Sequence, residues 1–129
     1  MSYKVLVVDD EQEARDLFND LLSREDCLVS TSASAEEAIE LVSKGDFDAV
    51  LMDIYRPGMD GLEALKKIKE LKKDIEVIMI TALGYGKDLI TKAKEYGCSG
   101  YIGKNMPVSQ IISSFKFFMV NAKAKKKDS

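Results

Sequence analysis

Residues 4–11 read KVLVVDDE. Four consecutive apolar residues, Val5–Val8, are followed at once by three acids, Asp9, Asp10 and Glu11. A run that is apolar on successive residues, not alternate ones, suits a strand covered on both faces. Similar short runs recur at Leu28–Ser30 (with Cys27), Ala49–Met52, Val77–Ile80 and Gly100–Ile102. Between them the apolar residues fall at helical spacing. Leu17, Phe18, Leu21 and Leu22 form one stripe, and Ala38, Leu41 and Val42 form the next, after Ser34, whose spacing to Glu37 matches a capping box. Leu62, Leu65, Ile68 and Leu71 form the third. The fourth stretch, about Lys87 to Glu95, is weak and ends before Gly97, a helix C-terminal glycine. The fifth uses Ile111, Ile112, Phe115, Phe118 and Met119, with Pro107 near its start, where proline is tolerated.

Strict strand–helix alternation in five units predicts a parallel sheet with right-handed crossovers. Five units are too few for an eight-stranded barrel, which leaves an open, doubly wound α/β sheet of the flavodoxin-like kind, with five strands and five helices. The 129 residues amount to one domain, with 46% apolar and 32% charged residues, a composition of globular chains. Residues 1–121 are expected to form the domain, and 122–129 a polar, lysine-rich tail that frays. A net charge of −3 argues against a direct nucleic-acid surface. No apolar run approaches membrane-spanning length and no leader precedes the first strand, so the default location is the cytoplasm. Cys27 and Cys98 make neither a metal cluster nor a disulfide framework and read as buried free thiols. The absence of histidine excludes a histidine nucleophile, base or metal ligand in this chain.

In an open α/β sheet, ligands bind at the carboxyl ends of the strands, near the switch in strand order. The residues just behind the apolar runs therefore matter most. They are Asp9, Asp10 and Glu11 after the first, Asp53 after the third, Thr81 after the fourth and Lys104 after the fifth. The second strand contributes none, as expected of an edge strand away from the crevice. Each residue alone has an ordinary explanation: a helix N-terminus for the acidic pair, a turn for Asp53, a cap for Thr81, a solvated charge for Lys104. Together they suggest chemistry. Clustered carboxylates repel and need a counter-charge, and carboxylate and carbonyl oxygens with retained waters suit Mg²⁺. A carboxylate beside such a cation can attack phosphorus, and a lysine and a hydroxyl can offset charge on the transferring oxygens.

This set resembles the response-regulator receiver domain, the phosphate-accepting partner of sensor histidine kinases. KVLVVDDE at 4–11 is similar to the family's acidic-pair strand. DIYRPGMDG at 53–61 is similar to its acceptor-and-loop motif, including Pro57, Met59 and Gly61. ITA at 80–82 matches the hydroxyl position, and GYIGK at 100–104 the aromatic and lysine positions. The resemblance runs from about Tyr3 to Val120. It implies that Asp53 is the phospho-acceptor, and that Mg²⁺ is held by Asp10, Asp53, the Tyr55 backbone carbonyl and, through water, Asp9. It also implies that Thr81 and Lys104 engage the phosphoryl oxygens and that Tyr101 is the switch aromatic. The implied partners are a sensor histidine kinase or a histidine phosphotransfer protein, with a homodimer or downstream protein on the face of helix four, strand five and helix five. Phe117, opposite the stripe of Ile111, Phe115 and Phe118 on a helical wheel, is the candidate contact there. The chain departs from many receivers in having Asn105, not proline, after Lys104, with the proline delayed to Pro107. Tyr55 and Leu83 flank the path of the hydrolytic water in the family. Neither has a carboxylate or amide, so self-dephosphorylation is expected to be slow.

On this reading the chain is a signalling domain, not an enzyme, and catalyses only its own phosphorylation and dephosphorylation. A Mg²⁺-dependent phosphohydrolase of similar topology is the alternative. It would need a cap and usually an acid two residues past the nucleophile, where Tyr55 stands. A flavodoxin-like cofactor binder would need a glycine- and hydroxyl-rich loop after the first strand, where the acids stand.

Overall fold

The computed structural model describes residues 3–53, 61–81 and 87–128. Five strands alternate with five helices: β1 (Tyr3–Val8), α1 (Gln12–Ser23), β2 (Cys27–Ser32), α2 (Ala35–Lys44), β3 (Ala49–Asp53), α3 (Gly61–Leu71), β4 (Glu76–Thr81), α4 (Lys87–Glu95), β5 (Gly100–Gly103) and α5 (Val108–Asp128). The strands form one parallel sheet in the order β2-β1-β3-β4-β5. The chain moves outward from β1 to β2, then returns past β1 to β3, so the order reverses between β1 and β3. That reversal opens a crevice at the carboxyl ends of these two strands.

The sheet is buried on both faces because successive side chains of each strand point opposite ways. Val5 and Val7 pack with Phe18, Leu22, Ile111 and Phe115, beneath α1 and α5. Leu6 and Val8 pack with Ala38, Val42, Leu65 and Ile68, beneath α2 and α3. Each fully buried side chain of this size stabilises the fold by roughly 1.5–3 kcal/mol relative to exposure. The helix ends follow their local chemistry. Ser34 Oγ accepts the Glu37 N–H at 3.1 Å and caps α2, while the Ser34 N–H donates to Ser32 Oγ in place of the Glu37 side chain that a full capping box would use. Gly97 adopts φ 99° just past α4, a conformation that a side chain would strain.

Two leucines of the expected stripes are exposed, Leu17 on α1 and Leu71 at the end of α3, and so is Leu28 of the apolar run on β2. β2 is an edge strand, so Leu28 lacks a neighbour on one flank. The helical segment after Asn121, expected to fray, continues α5 to Asp128. Alanine and lysine are strong helix formers, and lysines near a helix C-terminus complement its dipole. The Lys104–Asn105 peptide is trans, since no cis bond occurs among the described residues.

Gly100 begins β5 where the Phe118 ring of α5 lies directly against the backbone, and a Cβ there would overlap that ring. Gly100→Ala is therefore expected to lower stability by about 1–3 kcal/mol, the usual cost of overpacking. Chemical denaturation checks this. Adding Phe118→Leu should recover part of the loss, and an additive double mutant would show that the ring is not the cause.

Candidate functional site

β1, β3, β4 and β5 end side by side, and each delivers a polar residue to the same edge. The β1 run stops at Asp9, which is completely buried, and Asp53, the last residue of β3, is nearly so. Thr81, the last residue of β4, is buried as well, and its carbonyl accepts the Lys104 N–H, which ties the end of β5 to the end of β4. Lys104 follows β5 and turns its side chain back over the strand ends. Its Nζ lies 2.7 Å from Asp9 Oδ2, 3.2 Å from Asp53 Oδ2 and 3.5 Å from Glu11 Oε1.

The cluster is strongly acidic. Carboxylate oxygens of Asp9, Asp10, Glu11 and Asp53 all lie within 4.8 Å of one another. Lys104 supplies part of the counter-charge, beside any cation bound there. Burial by itself would lower the pKa of this lysine. The ion pairs with Asp9 and then Asp53 outweigh burial and push it well above the ordinary lysine value, so the ammonium is fully charged at neutral pH.

A group whose pKa is raised on folding stabilises the fold below its unfolded pKa and loses that contribution as pH climbs through the raised value. The stability difference between the parent and Lys104→Met is therefore expected to be flat between about pH 7 and 9 and to shrink only in stronger alkali. Denaturation midpoints of both proteins across that range check this, and a difference that fades below about pH 9 would contradict it.

Asp9 is held on every side. Its N–H donates to the Ser32 carbonyl at 3.1 Å, its Oδ1 accepts the Glu11 N–H at 2.9 Å, and its carbonyl accepts Arg15 Nη1 at 2.6 Å. Asp9 Oδ2, although close to Lys104, receives no aligned hydrogen bond. A buried carboxylate oxygen without a hydrogen bond, facing three further carboxylates, fits a hard divalent cation with oxygen ligands. Asp10, whose residue is exposed, completes that donor set from the solvent side.

The structure thus brings together Asp9, Asp10, Asp53 and Lys104, with Thr81 at the adjacent strand end. Tyr55, Pro57, Met59, Ala82 and Leu83, singled out in the sequence, lie outside the described residues. Glu11 joins the cluster, as its place in the acidic trio indicates. Arg15 carried no signal in the sequence, because an arginine on an amphipathic helix is ordinarily a surface charge.

Comparison with known proteins decides the family. Residues 5–116 match the family model described as "Response regulator receiver domain". The chain belongs to that family. The receiver domain is 35% identical over 120 residues to the sporulation initiation phosphotransferase F of Bacillus subtilis, covering 92% of this chain and 95% of the relative. It is 36% identical over 104 residues to the chemotaxis protein CheY of Halobacterium salinarum, covering 81% of this chain and 86% of that protein. Other relatives are longer. The chain spans 49% of the B. subtilis transcriptional regulatory protein ResD and 29% of NtrX from Brucella abortus, whose structure matches it with a TM-score of 0.91 at 29% identity over 98% of this chain. A CheY-like receiver from Methanospirillum hungatei superposes with a TM-score of 0.90 at 24% identity, covering 97% of this chain and 99% of that one, a likeness of fold. The receiver domain is therefore a module of two-component signal transduction. Among the described residues, no helix is long and apolar enough to cross a membrane.

Proposed function

We propose that this receiver takes a phosphoryl group onto Asp53 from a sensor histidine kinase or a histidine phosphotransfer protein, in a Mg²⁺-dependent step. One observation carries the reading. A buried aspartate at the end of β3 stands 3.2 Å from a lysine ammonium and within reach of the carboxylates of Asp9 and Asp10. An Asp53 oxygen forms the new bond to phosphorus as the donor's bond to phosphorus breaks and the donor leaves with that electron pair. Asp10, Asp53 and the Tyr55 carbonyl would hold Mg²⁺, with Asp9 behind them. The cation offsets charge on the phosphoryl oxygens when bound. Lys104 and Thr81 take further phosphoryl oxygens, so the ammonium that pairs with Asp9 and Asp53 exchanges a carboxylate for a phosphoryl partner.

The signal leaves by a population shift, because a phosphoryl group biases only states with which it interacts differently. Thr81 and Tyr101 couple the site to the α4–β5–α5 face. Tyr101 is exposed on edge strand β5, and Phe117 is 61% exposed on α5. Both support contact with a second copy or a downstream protein there. The whole-length relative named as a phosphotransferase supports a place in a phosphorelay. We assign the chain to the cytoplasm, without direct nucleic-acid contact and without catalysis on a separate substrate. A phosphohydrolase is disfavoured by Tyr55, which stands where such an enzyme usually needs an acid.

The test is incubation with acetyl phosphate and Mg²⁺, followed by intact-mass measurement and peptide mapping. One acid-labile phosphoryl group per chain on Asp53 is expected. Steady multiple turnover of a phosphate ester without a phosphoprotein would overturn the reading. For the output face, Phe117→Ser is expected to weaken self-association or partner binding after phosphorylation. Unchanged sedimentation and unchanged binding would remove Phe117 from that role.

A further inference from the structure

We propose that Arg15 is a positioning residue for the acidic site: it pins the peptide between Asp9 and Asp10 and so sets where their carboxylates stand for a divalent cation. The proposal rests on the Mg²⁺ reading above. Arg15 lies in the first turns of α1, near the positive end of the helix dipole, where a cation is disfavoured. Its charge is equally disfavoured beside a site that takes a cation. An arginine placed against both fields needs another reason to be there, and its hydrogen bond supplies one.

The half-buried guanidinium donates Nη1 to the Asp9 carbonyl at 2.6 Å, the short distance of a charge-assisted bond. That carbonyl and the Asp10 N–H belong to one planar peptide unit. Holding the oxygen orients the whole plane and therefore the direction in which the Asp10 side chain leaves. The Asp9 N–H is committed to Ser32 and Oδ1 to the Glu11 N–H, while Oδ2 lies beside Lys104 without a hydrogen bond. Arg15 thus supplies the restraint on the Asp9 carbonyl at the β1–α1 turn. The chain reaches this arrangement with a six-residue separation between Asp9 and Arg15, so the helix itself carries the clamp.

The two effects of Arg15 on metal binding have opposite signs, which makes the proposal testable. Electrostatics alone predicts tighter Mg²⁺ binding when the cationic side chain is removed. Positioning predicts weaker binding. Isothermal titration of the full chain with MgCl₂ should show Arg15→Met raising the Mg²⁺ Kd by about tenfold, the lower end of what losing an outer partner of a metal site costs. Arg15→Lys keeps the charge but not the fork, and its Kd should also rise.

Thermal unfolding in EDTA identifies any variant that is unfolded at the titration temperature. If Arg15→Met is unfolded there, Arg15→Lys carries the comparison. An unchanged or lowered Kd in a folded variant overturns the proposal. Asp10→Asn, which removes a proposed ligand, serves as the reference for a damaged site. If the parent chain itself shows no saturable Mg²⁺ isotherm, the metal reading fails, and this inference fails with it.

Discussion

Asp53→Asn is expected to abolish stable phosphorylation. Asparagine keeps the shape and burial of the residue but removes the anionic oxygen that forms the bond to phosphorus. With acetyl phosphate and Mg²⁺, labelling should fall by at least about two orders of magnitude, roughly 3 kcal/mol of barrier. The fold should survive, because the change removes one of several repelling carboxylates and leaves Lys104 paired with Asp9. Intact-mass measurement with peptide mapping reads the outcome. Undiminished labelling of the same peptide would mean that another group is the acceptor.

Lys104→Met has a large effect of a different kind. The lysine is mostly buried and lies against two buried carboxylates, so its removal takes a shared cation away from Asp9 and Asp53. Breaking one partner of a buried ion pair costs about 3–5 kcal/mol, toward the lower end here because the site opens to solvent on the Asp10 side. Thermal or urea unfolding in metal-free buffer should show that loss. Millimolar Mg²⁺ should then restore more stability to the variant than to the parent, because a ligand of the folded state stabilises it by mass action and the variant's carboxylates, with one counter-charge fewer, favour the cation more. Phosphorylation should also slow, since the proposed phosphoryl contact is gone. Equal Mg²⁺ stabilisation of both proteins would show that Lys104 and the cation do not answer the same charge.

Much of this was legible in the chain. The runs at Val5–Val8 and Ala49–Met52 marked strands buried on both faces, and Ser34 and Gly97 marked helix ends through local backbone chemistry. Asp9, Asp53, Thr81 and Lys104 could be gathered from the sequence because a parallel sheet sends every strand end to one edge. Such readings succeed where the cause lies within a few residues or follows from topology.

Other features were not legible. Leu17 fell in a stripe with Phe18, yet Phe18 is buried and Leu17 is exposed. Periodicity reports a residue's angle about its own helix, not which angles a neighbour covers. The tail after Asn121 reads as polar and lysine-rich, and that composition does not show that α5 runs on to Asp128. By itself, the sequence determined the alternation of strands and helices, the caps and the set of polar and charged residues at the strand ends. Only the tertiary structure decided that Lys104 reaches Asp9 and Glu11 as well as Asp53, and that Arg15 holds the Asp9 carbonyl. Lys104 meets Asp53 across 51 residues and Glu11 across 93. Contacts over such separations depend on side-chain reach and on the packed positions of β1, β3 and β5, which no local pattern encodes.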